Sequence, residues 1–222
     1  MRGFICSVGL VIVSALTAGI ARGDRGAARD APRLDWAVGQ LIAGGTGIAD
    51  RHAPSPAVAL GTSRRGAEEA AKRQLAARLG ALPVAAGGTV SDKLGDPAVK
   101  ARVDAALDAA IAIAAEPETD GSWHVTLALP LEAVRQAIGA PRALPAGGDR
   151  GPPVVIVDGV TARPALGWTI NGASAATVWV KDVPAWAHDA PHVTARAARA
   201  GELTAPDNPG TPATLYLIVT RG

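Results

Sequence analysis

Ile111-Ala-Ile-Ala-Ala-Glu-Pro-Glu-Thr-Asp-Gly121-Ser-Trp-His-Val-Thr-Leu-Ala-Leu129 is two alternating runs around a Pro/Asp-Gly turn. Ile111, Ile113 and Ala115 alternate before the turn, and Trp123, Val125, Leu127 and Leu129 alternate after it. A period of two places side chains on opposite faces of a strand, and Asp-Gly supplies the reversal, so the stretch predicts a β-hairpin. Trp123 is expected to face the core, and His124, on the opposite face, to be solvated.

Outward from the hairpin the period changes. Over 66–82, Ala71, Leu75, Leu79 and Leu82 recur at steps of four, four and three, one apolar stripe on a helix. Acids (Glu68, Glu69) precede bases (Lys72, Arg73, Arg78), the order a helix dipole favours. Asp96-Pro97 starts a second helix, because Asp caps free amides and Pro suits the first turn. Val99, Val103, Leu107 and Ile111 repeat behind it. The glycines of 34–49 argue against a helix, so that stretch is expected to be a bent, extended strand. Residues 51–56 read as a proline-marked loop, 83–90 as a strand and 131–138 as a short helix. The Pro/Gly-rich 141–153 reads as a linker between a domain at 34–140 and a β-rich part at 154–222. In that second part, 154–157 is a β-branched run typical of a buried strand. Strands are also expected at 166–170, 177–180 and 215–219, and 183–212 is irregular by pattern. The predicted class is α+β, helices packed on a small antiparallel sheet, followed by a small, mostly β subdomain.

The first 23 residues have the layout of a secretory signal peptide: Arg2, an uncharged apolar run over 5–20, then small residues through Gly23. Cleavage after Ala21 or Gly23 would leave 24–33 as a flexible mature N-terminus. Cys6 lies at the start of the apolar run, where it cannot be a lipobox cysteine. Residues 1–23 hold two of the 22 Lys and Arg and none of the 20 acids, leaving 20 of each sign. A neutral mature surface has no clustered bases to displace counterions, which argues against a nucleic-acid partner. Cys6, the single cysteine, lies in this leader, so the mature chain forms no disulfide and offers no thiol. At 48% hydrophobic the chain is too apolar to be disordered.

Residues able to carry chemistry are scattered. His188 and His192 stand four apart, a spacing that suits metal ligands on a helix, but Pro191 between them opposes a helix. Gly44-Gly45-Thr46-Gly47 lacks the Gly-Lys-Ser/Thr end of a phosphate loop, so its glycines read as a bulge or a close backbone approach. Glu116, Glu118 and Asp120 crowd one turn rather than flanking a cleft. Ser174 is not in a nucleophile elbow, and His52 sits in a loop without a partner in sequence. Asp158 ends a predicted strand, where sites often form, but Asp158-Gly159 is equally a turn signal. No catalytic, cofactor-binding or metal-ligating residue is assigned. Asp158, His188 and His192 would sustain a hydrolase reading only if they converge in space. Trp179 and Trp186 are the candidate interaction surface, with core packing the even alternative, and Trp168 is expected in the core.

Three stretches carry a resemblance. Trp36-x-x-Gly39 with Ala43-Gly44-x-x-Gly47-x-Ala49, the Ala-rich helix of 67–82, and Asp120-Gly-x-Trp-x-Val-x-Leu-x-Leu-Pro-Leu131 follow one another in order. That layout resembles the small outer-membrane lipoprotein family, which includes flagellar H-ring-associated envelope proteins (flagellar assembly protein T-like), here without the lipobox. In the second part, Val154-Val-Ile-Val-Asp158-Gly with Arg163-Pro164-Ala165-Leu166 and Ile170 resembles the segment that follows this domain in the H-ring-like proteins. The family's glycine-tyrosine end is replaced by Thr177-Val178-Trp179. The resemblance implies a helix on a small antiparallel sheet, used for envelope assembly, a flagellar association and no catalytic residue. The resulting expectation is a non-enzymatic exported protein, periplasmic or outer-membrane-associated, with a structural or assembly role. Its partners would be envelope proteins or copies of itself, its membrane association peripheral at most, with no cofactor. The alternative is a soluble periplasmic ligand-binding module.

Overall fold

The structure, a computed structural model, describes residues 29–141, 145, 151–199, 201–211 and 213–220. Residues 1–23, read above as a signal peptide, residues 24–28 of the expected mature N-terminus and most of the expected linker at 141–153 lie outside the described residues. The fold is α+β, as expected.

In the first part, β1 (Arg33–Asp35), β2 (Gln40–Gly47), β3 (Ile111–Pro117) and β4 (Trp123–Pro130) form an antiparallel sheet in the order β1-β2-β4-β3. The hairpin β3–β4 is present, with a register shift between Ala112 and Ala114. Helix α1 (Pro56–Leu79) lies on one face of this sheet. Alternate β2 residues Leu41, Ala43, Gly45 and Gly47 meet the helix face of Ser63, Ala67, Ala71, Leu75 and Leu79. The glycines of β2 are there for close approach. A Cβ on Gly45 would collide with the Ala67 carbonyl and the Ala71 amide, and one on Gly47 with the Ser63 carbonyl. Ser63 Oγ also donates to the Gly121 carbonyl (3.1 Å), tying the helix to the hairpin turn. Trp123 is half-buried against the core, with the Arg64 guanidinium 5.3 Å from its ring centroid.

Several boundaries differ from the sequence reading, each for a local reason. Residues 34–49 are two strands separated by a turn, where Asp35 Oδ1 accepts from the amides of Ala37 and Val38. Helix α1 starts ten residues earlier than the stripe indicates, because Ser55 caps it by accepting from the Val58 amide (3.3 Å) and Pro56 opens it. Residues 83–90 are not a strand. Gly87 and Gly88, at φ 107° and 74°, reverse the chain, leaving isolated bridges from Pro83 to Thr89 and from Val84 to Leu166 before the short helix α2 (Val90–Lys93). Helices α3 (Pro97–Asp108), with Asp96 Oδ1 accepting from Ala98 N (2.8 Å), and α4 (Leu131–Ala137) stand where expected. His124 is the main correction, being 3% exposed rather than solvated. The segment carrying Asp30 crosses that face of the sheet, and His124 Nε2 lies 2.7 Å from Asp30 Oδ1. Thr46 donates its hydroxyl to Asp30 Oδ2 (3.2 Å), and Arg29 beside it pairs with Glu116 and Glu118.

The second part holds a parallel sheet of β5 (Val154–Asp158), β8 (Ala176–Val180), β9 (His192–Thr194) and β12 (Leu215–Val219), ordered β8-β12-β5-β9. Val155, Val157, Tyr216 and Ile218 share a core with Trp168 and Trp179, whose rings are 5.8 Å apart and tilted by 57°. Ile156 and Leu217 point to the other face, under a 3-10 turn at Ala185–Ala187. A second sheet, ordered β10-β11-β6-β7, comprises β6 (Thr169–Ile170), β7 (Ala173–Ser174), β10 (Arg196–Arg199) and β11 (Glu202–Thr204). The strand expected at 166–170 thus shortens to its last two residues, because Leu166 instead plugs the first core. Its amide and carbonyl bond Pro83 O (2.9 Å) and Ala85 N (2.8 Å). The irregular 183–212 region contains β9, β10 and β11, strands too short for a period to show.

Two outcomes follow. Gly47→Ala lowers the stability measured by chemical denaturation by roughly 2–3 kcal/mol through overpacking, whereas Gly61→Ala, in open space on α1, raises it by ~0.4–1 kcal/mol. The Thr89 amide (2.7 Å) and hydroxyl (3.1 Å) both donate to Asp92 Oδ2, which lowers the Asp92 pKa, with a smaller push from Lys93. A carboxyl-detected NMR titration therefore places its midpoint below the ordinary aspartate value. The contribution of this cap is complete above that ordinary value and is lost as pH falls through the lowered one.

Candidate functional site

The carboxyl end of a parallel sheet is where α/β proteins gather ligands, and β5 ends there in Asp158. β9 runs parallel to β5 with His192 opposite Ile156, which places His192 and Asp158 two registers apart on the same face. His192 Nδ1 lies 2.7 Å from Asp158 Oδ2, with side chains 52% and 38% exposed. His188, just after the 3-10 turn, instead bonds the Val183 carbonyl through Nε2 (3.0 Å). The three residues therefore do not converge: two pair and the third is held by its own loop. A carboxylate on one ring nitrogen orients an imidazole, but among the described residues no serine or threonine hydroxyl is hydrogen-bonded to His192. Nor do the described residues contain three His, Cys, Asp or Glu grouped to hold a metal ion.

The acids of the hairpin turn have structural partners. Glu116 and Glu118 hold Arg29, and Asp120 accepts from the Ser122 amide and hydroxyl within the turn. The His52 amide bonds Asp50 in an exposed loop, and Ser174 is exposed in β7. Gly45 and Gly47 admit the helix, and Gly44 leaves room for the His124–Asp30 contact, since a Cβ there would stand 2.8 Å from His124 Nε2.

The tryptophans divide. Trp168 is in the core as expected, and Trp179 joins it at 3% exposed, so Trp179 is not part of an open surface patch. Trp186, on the 3-10 turn, is 66% exposed. A larger exposed apolar feature was not singled out in the sequence. β3 is the outer strand of its sheet, with every residue exposed except the half-buried Ala114, and Ile111 and Ile113 are 56% and 51% exposed. Alternation marked these isoleucines as strand residues, but the strand order that leaves them outside comes from the β2–β4 pairing.

Where the two parts meet, a groove of about 550 Å³ runs between the β1 end and the carboxyl ends of β8 and β12. Leu34, Trp36, Pro164 and Pro184 line it, with Trp179 among its lining residues and Asp35, Lys181 and Asp182 adding charge. Trp36 packs against both cores, and its carbonyl accepts from the Trp179 amide (3.4 Å).

Chemical denaturation separates the two histidine–aspartate pairs. Asp30→Ala strands a buried imidazole nitrogen and costs about 1–3 kcal/mol, whereas Asp158→Ala, at an exposed pair, costs less than ~1 kcal/mol. Set against protein-family models, curated proteins and solved structures, the chain matches none.

Proposed function

We propose that the chain is a non-enzymatic, exported envelope protein with a structural or assembly role. The observation that carries this reading is the open β3 edge with its exposed Ile111 and Ile113. An outer strand presents unpaired amides and carbonyls, and folds that must stay apart commonly block such an edge with lysine or an inward charge. Here the first five residues of β3 are isoleucine and alanine, and the acids and Pro117 come only at its end. Trp186 adds an exposed aromatic on the second part. The N-terminal layout supports export, and the family resemblance supports an envelope location with a flagellar association. Partners would be other envelope proteins or further copies of this chain. No helix among the described residues is long and apolar enough to cross a membrane.

A soluble periplasmic ligand-binding module is the second reading, favoured by the groove at the junction of the two parts.

Fractionation of a tagged chain from bacterial cells distinguishes the two. The assembly reading expects sedimentation with outer membrane and cell wall that resists high salt. It further expects Ile111→Lys/Ile113→Lys, which adds charge only at exposed positions, to shift the protein to the soluble fraction with its melting temperature unchanged. Release of the unaltered protein as a monomer on osmotic shock overturns assembly and leaves the binding module.

A further inference from the structure

We infer that the groove at the junction of the two parts binds an extended, proline-containing peptide segment carrying a basic side chain. The inference is independent of assembly through β3.

Position comes first. The groove lies at the carboxyl ends of the parallel strands β8 and β12 and at the boundary between two packed parts, both places where binding sites form. Its lining is the second point. Half-buried Trp36 is accompanied by Pro164, Pro184 and Leu34, with Trp179 buried beneath them. Rigid aromatic and proline surfaces suit a polyproline II segment, which arrives extended with little conformational entropy left to lose.

Strand addition is the obvious competitor for an extended peptide, and the backbone argues against it. The amide of Trp179 on the outer side of β8 already donates to the Trp36 carbonyl. The turn after β1 thus takes the β8 edge at Trp179, the point beside the groove where an added strand would pair. A polyproline II segment makes no ladder of its own and needs none from its host.

Charge selects the side chain. Asp35 and Asp182 stand against Lys181, so the lining is net acidic by one. Asp182 is exposed and forms no ion pair among the described residues. Asp35 is held in place by the amides of Ala37 and Val38, which use one of its oxygens and leave the other. A guanidinium in this setting finds carboxylates for charge-assisted hydrogen bonds and the half-buried Trp36 for cation–π contact.

The test uses the mature chain with ¹⁵N-labelled tryptophan and a blocked decaproline bearing one central arginine. A matched peptide with glutamate at that position and soluble N-acetylglucosamine oligomers serve as comparisons. The expected result is saturable movement of the Trp36 signal with the arginine peptide, weakened by salt. Asp182→Asn should weaken binding several-fold and Lys181→Glu strengthen it several-fold. Both positions are exposed, so neither change threatens the fold. Absence of saturable movement, equal response to the glutamate peptide, or a response to the sugar oligomers alone overturns the inference.

Discussion

The first part of the molecule is organised by the contact of α1 with β2 at backbone distance. Gly45 and Gly47 on the strand face Ser63, Ala67 and Ala71 on the helix, so the two elements interlock through small residues. Dispersion falls steeply with separation, and a helix seated this closely recovers contact that larger side chains would otherwise provide. Further along, where β2 carries Leu41 and Ala43, α1 carries Leu75 and Leu79. The helix is wedged at one end by absent side chains and cushioned at the other by leucines. Its position then fixes which face of the sheet is core, and hence which face the Asp30 segment must cover.

The second part is bound to this frame by exchange. Leu166 belongs to the first core although it follows residues 141–153, and Ala85 belongs to the second core although it precedes them. Trp36 touches both. A junction made in this way has no smooth interface, and the groove beside Trp36 is its outer margin. The functional surfaces follow from the same arrangement. The β8 edge is met at Trp179 by the turn after β1, whereas β3 on the far side of the first sheet is left open.

The two histidine–aspartate pairs show how far location changes meaning. Each has a nitrogen and an oxygen 2.7 Å apart. One is sealed beneath a crossing segment and acts as a structural tie. The other stands in solvent at the end of a parallel sheet, where screening by water reduces the worth of the contact.

Sequence alone determined the elements whose patterns repeat locally: the alternation of the hairpin, the four-residue stripe of α1, the Asp96-Pro97 start of α3 and the β-branched run of β5. Each is specified by neighbours within a few residues, because the periods of helix and strand are local properties of the backbone. The meaning of the glycines in β2 was half legible, as a close approach whose partner was unknown. Tertiary structure alone decided that His124 is buried, that Trp179 is core while Trp186 is exposed, and that β3 is an edge. His124 is covered by Asp30, 94 residues away in the chain, and the edge status of β3 depends on β2 pairing with β4 rather than on anything within β3. Burial and exposure are set by long-range pairing, and a residue's own neighbours in sequence do not encode which distant segment will lie over it.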